Sequence, residues 1–194
     1  MKNIIHAFGI ILASFIMLGC SVSRYAEKTG FDKETIILDI SSGKYKTRNS
    51  ALSKLNSYGD KQPLSKEFID VLIVQLNREK DWRIKVKIIS ALGKAEDKTS
   101  VLPTLIRCLS CRDDESGEFG MIPFIAALVL SQIGDSSAVD PVRDWVEYLK
   151  NHSYKLDDKD GGKTYSAGML EQSIKYLKAL EEKSAQSQNS SGVK

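Results

Sequence analysis

Ser90-Ala-Leu-Gly-Lys-Ala-Glu-Asp97 is the stretch that decides the fold. A run rich in Ala and Leu stops at a glycine, and an aspartate then opens a second amphipathic run. The same order occurs in Leu55-Asn-Ser-Tyr-Gly-Asp60 and in Leu130-Ser-Gln-Ile-Gly-Asp135. The three aspartates lie 37 and 38 residues apart. Such a period implies a two-helix unit. One helical hairpin cannot bury its apolar faces alone, whereas stacked hairpins share a continuous core that atypical end helices close.

Outward from these turns, the apolar residues keep a helical period. Ala51, Leu52 and Leu55 form one stripe, and Phe68, Ile69, Leu72, Ile73 and Leu76 form the next, behind Ser65 as N-cap. Ile84, Val86, Ile88, Ile89, Ala91 and Leu92 follow, then Val101, Leu102, Leu105, Ile106 and Leu109, and later Val139, Val142, Trp145, Val146 and Leu149. Ile122 to Leu130 is apolar nearly all round, which implies burial on more than one face. Pro103 and Pro141 suit the first turn of a helix, where a missing N–H costs little, and Pro63 falls in a longer turn. Asp32 caps a helix that Ser41-Ser42-Gly43 ends, and a last helix runs from Tyr165 to Lys183. The expected fold is all-α: a short right-handed α-solenoid of about three helical hairpins over residues 32–183, with capping helices and a polar, flexible tail at 184–194.

Ser90-Ala-Leu-Gly-Lys-Ala-Glu-Asp97 and Ser131-Gln-Ile-Gly-Asp135 resemble the Ala-Leu-Gly-x-Ile-Gly-Asp turn of HEAT repeats, particularly the short variety of phycobilisome-lyase-like proteins. Arg83 stands where such repeats often place an arginine near the start of their first helix. The resemblance covers residues 46–150 and implies a stacked helical surface that binds other proteins. Some HEAT-like proteins attach bilin pigments in the cytoplasm, a role at odds with an exported chain.

The N-terminus carries an address. Lys2 precedes the uncharged, largely apolar run Ile4 to Leu18, whose 15 residues fall short of the roughly 20 needed to span a bilayer and suit a secretory signal. Leu18-Gly19-Cys20 resembles the lipobox of bacterial lipoproteins, with Met17 and Leu18 departing from its usual residues. This resemblance implies removal of residues 1–19, lipidation of Cys20 and a tether over residues 20–31. It places the chain in the cell envelope, held on a membrane through lipid. Ser21, rather than Asp, favours the outer membrane facing the periplasm in a Gram-negative host. The net charge of +3 gives no basic excess of the kind that accompanies nucleic-acid binding.

Candidate chemistry is sparse. Cys108-Leu-Ser-Cys111 can form a disulfide in an exported protein, but it falls at the end of a helix, where the dipole does not favour a thiolate. A structural zinc site needs four ligands, and beyond these cysteines the mature chain offers His152 as its one soft candidate. Asp157-Asp-Lys-Asp-Gly-Gly162 fails the spacing of a calcium loop, so no metal or other cofactor is expected. Asp60, Asp97 and Asp135 read as caps of the second helices. Asp113-Asp-Glu-Ser-Gly-Glu118 reads as a solvated acidic turn. Trp145 reads as core, and no nucleophile, base or phosphate loop can be assembled into an enzyme site.

Trp82 and Arg83 form a candidate hot spot, although Trp82 reads first as a wedge between repeats. Lys66, Asp70, Arg107, Arg143 and Glu147 mark the polar faces of the second helices. The expectation is a lipid-anchored module that binds an unidentified envelope protein. A thiol–disulfide activity at Cys108 and Cys111 and a purely structural envelope role are the alternatives.

Overall fold

Local signals start and stop each helix. Asp32 accepts a hydrogen bond from the Thr35 N–H at 3.2 Å and opens α1 (Lys33–Ile40). Asp81 accepts from the Arg83 N–H at 2.9 Å and opens α4 (Trp82–Leu92). Between them lie α2 (Tyr45–Gly59) and α3 (Lys66–Arg78). Then come α5 (Leu102–Cys108), α6 (Met121–Ile133), α7 (Val139–His152) and α8 (Gly162–Ser191). Single 3-10 turns at Thr99–Val101 and Ser136–Ala138 lead into α5 and α7. The computed structural model describes residues 31–111, 120–152 and 162–191, and it is all-α.

The packing follows the repeat. The first helices of successive units, α2, α4, α6 and α8, lie side by side, each against the next. Each second helix leans on the first helix that follows it: α3 on α4, α5 on α6 and α7 on α8. At one end α1 covers α2 and α3, and at the other α8 covers α6 and α7. Leu52, Leu55, Leu72, Ile84, Ile88, Ile89, Leu92, Leu105 and Trp145 are fully buried along this stack. α6 has helices on three sides, α4, α5 and α8, which accounts for its nearly continuous apolar sequence.

The repeated turn glycine has a packing reason. A Cβ at Gly59 would come 2.7 Å from Lys94 Cδ, one at Gly93 would come 2.7 Å from Val129 Cγ1, and one at Gly134 would come 2.8 Å from Lys183 Cδ. At each of the three junctions, the next first helix or the turn that ends it closes onto the glycine. Lys94 also donates to the Asn56 carbonyl at 2.8 Å and pairs with Asp60 at 2.7 Å. Lys183 donates to the Ser131 and Gln132 carbonyls at 2.9 and 3.0 Å. Lys183 thus satisfies open carbonyls at the end of α6, where a helix leaves acceptors without intrahelical partners, and Lys94 is a second donor to the Asn56 carbonyl, which also accepts from the Asp60 N–H. The turns themselves are tied as well: Leu64 N–H donates to the Lys94 carbonyl and Glu96 N–H to the Leu64 carbonyl.

Val129 is buried and β-branched, so it has little freedom to yield. Gly93→Ala is therefore expected to destabilise the fold by about 1–3 kcal/mol through overpacking. Gly93→Ala with Val129→Ala should recover part of that loss in a double-mutant cycle by urea denaturation. Strict additivity of the two changes would show that the junction is not close-packed.

Three details depart from the sequence reading. Ser65 stands at the N-cap of α3 but makes no capping bond, and its buried Oγ has no partner among the described residues. Asp60 ends α2 and pairs with Lys94 instead of capping α3. α8 runs on to Ser191 and so takes in residues 184–191 of the expected tail. No Gly or Pro interrupts that segment, and adding residues to a formed helix is far easier than starting one.

Candidate interaction surfaces

The expected caps hold at two of three turns. Asp97 accepts from the Thr99 N–H at 3.0 Å and from its hydroxyl at 2.6 Å, and Asp135 accepts from the Ser137 N–H at 2.9 Å and from its hydroxyl at 2.6 Å. The hydroxyl bonds, ahead of the backbone bonds, hold both carboxyls below the ordinary aspartate range. These carboxylates are occupied with turn formation.

Cys108 ends α5 and is buried, whereas Cys111 lies just beyond it and is exposed; both are free thiols. Burial is the main cause that pushes the Cys108 thiol up to about 12. The thiolate is the reactive form, so this environment opposes nucleophilic chemistry at Cys108. Of these two thiols, maleimide labelling of the native, reduced protein at neutral pH should modify Cys111, with Cys108 reacting only after denaturation. Equal rates at both thiols would contradict this burial. His152 stacks on Tyr148 at 4.0 Å and its Nδ1 lies 2.9 Å from the Tyr148 carbonyl, away from the cysteine turn in sequence and bonding. Among the described residues, no three His, Cys, Asp or Glu side chains form a group able to hold a metal ion. Cys20, the acidic turn 113–118 and the stretch 157–161 lie outside the described residues.

The polar faces sort into two groups. On α3, Lys66, Asp70, Val74 and Asn77 follow one another at helical spacing, and all four are exposed. Lys66 pairs with Asp70 at 2.6 Å. Arg107 of α5 donates to Asn77 Oδ1 at 3.0 Å and so continues this face onto the next second helix. Val74 is 49% exposed in the middle of it. The sequence reading passed over Val74 and Asn77, although the register set by Phe68, Ile69, Leu72 and Leu76 points both outward. Arg143 and Glu147 belong to α7. Arg143 pairs with Asp140 and reaches Glu181 of α8 at 2.9 Å, while Glu147 takes Lys150 at 2.6 Å.

Trp82 and Arg83 lie on the row of first helices. Trp82 is half-buried against the core. Arg83 is exposed, pairs with Asp81 at 3.0 Å and sits over the Tyr45 ring at 5.6 Å. Tyr45, at the start of α2, could not be joined to this pair from sequence, because only the packing of α2 on α4 brings them together.

Beneath them is a network that sequence reading missed. Arg48 Nε donates to Glu79 Oε2 at 2.8 Å, and the two side chains retain 13% and 4% exposure. Glu79 also accepts from Gln75 Nε2 at 3.1 Å and from the Lys80 and Asp81 N–H groups at 3.0 Å each. Arg48 spends its other arm on the Ser42 carbonyl at 2.9 Å. This pair locks the α1–α2 turn, α2 and the α3–α4 turn together. None of the described helices is long and apolar enough to cross a membrane. No protein-family model matches this chain, and no curated protein matches it.

Proposed function

We propose that this protein is a lipoprotein of the bacterial cell envelope that acts as a protein-binding module. In this reading the stacked hairpins are a short right-handed HEAT-like solenoid, and lipid on Cys20 confines it to a membrane. Confinement raises its effective concentration near membrane partners without any new contact. The observation that carries the binding role is the outer face of α3 and α5. There Val74, an exposed apolar side chain, is flanked by Lys66, Asp70, Asn77 and Arg107. An apolar centre within a polar rim is the usual anatomy of a protein–protein contact. The partner is another envelope protein with a small apolar feature and charges complementary to this rim.

Crosslinking in native membranes, followed by purification and mass spectrometry, tests the reading. One dominant partner is expected, lost with Val74→Asp and retained with a substitution on α7 such as Glu147→Gln. Retention of the same partner by Val74→Asp would remove α3 from the contact. Metabolic labelling with a fatty acid should mark the wild-type chain and spare Cys20→Ser; equal labelling would overturn the anchor.

A further inference from the structure

Two neighbouring first helices carry charge of one sign. Within Tyr45–Gly59 and Trp82–Leu92 there are six basic residues, Lys46, Arg48, Lys54, Arg83, Lys85 and Lys87, and no acidic one. The whole chain carries a net charge of only +3. By contrast, α3 and α7 carry both signs, Lys66 and Arg78 with Glu67 and Asp70, and Arg143 and Lys150 with Asp140, Asp144 and Glu147.

The geometry makes this a strip. Arg48 turns inward to Glu79. Lys46, Ser50, Ser53, Lys54 and Ser57 are exposed along α2 at helical spacing. On α4, Arg83, Lys87 and Ser90 follow at intervals that keep one face, and Lys87 Nζ donates to Ser53 Oγ at 2.8 Å, so the two helices present a joint surface. Among the described residues, Asp81 pairs with Arg83 and Asp60 with Lys94, both at the ends of the strip. Next in the row, α6 continues the partly exposed stripe with apolar residues, Met121, Ile125 and Leu128.

We propose that this first-helix face lies on an anionic phospholipid surface. Lysine ammonium groups and serine hydroxyls donate to phosphate oxygens, and each basic residue near an anionic surface adds to the attraction. The adjoining apolar stripe and the half-exposed Tyr45 suit the boundary between headgroups and acyl chains. The orientation that follows rests on the anchored reading above: with the first helices down, the exposed Val74 face of α3, a second helix packed on α4, is left for a partner.

The test uses the full chain on vesicles of phosphatidylcholine alone and of phosphatidylcholine with phosphatidylglycerol. Flotation on the neutral vesicles reads the anchor. Acylation of lysines, followed by mass spectrometry, reads the face. On anionic vesicles Lys46, Lys54 and Lys87 should react about fivefold more slowly than on neutral ones, with Lys66 and Lys150 of the second helices unchanged. The difference should vanish in about 1 M salt, where the Debye length is about 3 Å. Equal protection at all five lysines, or none at the first three, overturns the proposal. If the chain fails to float on neutral vesicles, the anchor is what fails. Partition onto anionic vesicles then decides the face, with an expected loss of about a hundredfold for K46Q/K54Q/K87Q and none for K66Q/K150Q. Retention on immobilised polyglutamate without vesicle binding would replace lipid by an acidic protein.

Discussion

Replacing Glu79 by alanine is expected to destabilise the protein by about 3–5 kcal/mol, because it strands a nearly buried arginine charge. Arg48 would keep the Ser42 carbonyl and lose its carboxylate, while the Lys80 and Asp81 N–H groups would lose their acceptor. Arg48→Met should cost less. It leaves Glu79 with Gln75 and the two backbone donors, and the methionine fills part of the arginine's volume. Chemical denaturation of the two variants gives the order directly. Equal losses would mean that the ion pair alone matters and the backbone bonds contribute little.

The same carboxylate predicts an acid response. Burial opposes ionisation of Glu79, but the bonds from Asp81 N–H, Gln75 and Arg48, with the arginine charge, outweigh it and hold its pKa below the ordinary 4.5. A carboxyl with a depressed folded pKa stabilises the native state above its unfolded pKa, and the contribution is lost as pH falls through the folded value. The Glu79 contribution should therefore be complete well above pH 4.5 and be lost as the pH falls below it. Glu79→Ala should flatten part of that fall.

Trp145→Ala is the second large effect, at about 3–5 kcal/mol. Trp145 is 1% exposed and joins α7 to α8. Its Nε1 donates to the buried Ser173 hydroxyl at 3.2 Å, and its ring stacks on Tyr148 at 5.6 Å. Gly120 lies close enough that a Cβ there would come 2.9 Å from the indole. Alanine would open a cavity at the closing end of the stack and remove a partner from Ser173. Trp145→Phe keeps most of the buried area and should lose clearly less. A small loss for Trp145→Ala would show that α8 contributes little to closing the core.

These effects separate what short-range chemistry writes into the chain from what it does not. The apolar stripes of α3, α4 and α7, the caps at Asp32, Asp97 and Asp135, and the prolines opening α5 and α7 all act within one or two helical turns. A local reading therefore places them. The burial of Trp145 was legible for the same reason, since it continues the stripe of Val142 and Leu149. The turn glycines were legible as stops, but not as the points where the next first helix or its turn makes contact.

The candidate surfaces were legible only in part. Helical period fixes the direction in which a side chain leaves its own axis, so Lys66, Asp70 and Arg107 could be placed on outer faces from sequence. It carries no information on which other helix stands opposite. The bonds that decide the rest span long separations: Arg48 to Glu79, Arg107 to Asn77, Arg143 to Glu181 and Lys87 to Ser53. Each needs two helices docked at a set distance and rotation, which the shared apolar core determines. Sequence alone thus determined an all-helical chain, its repeat and its turns, through interactions among near neighbours. Only the tertiary structure decided that Arg48 is an internal strut, that Val74 centres one face, and that the lysines of α2 and α4 form another.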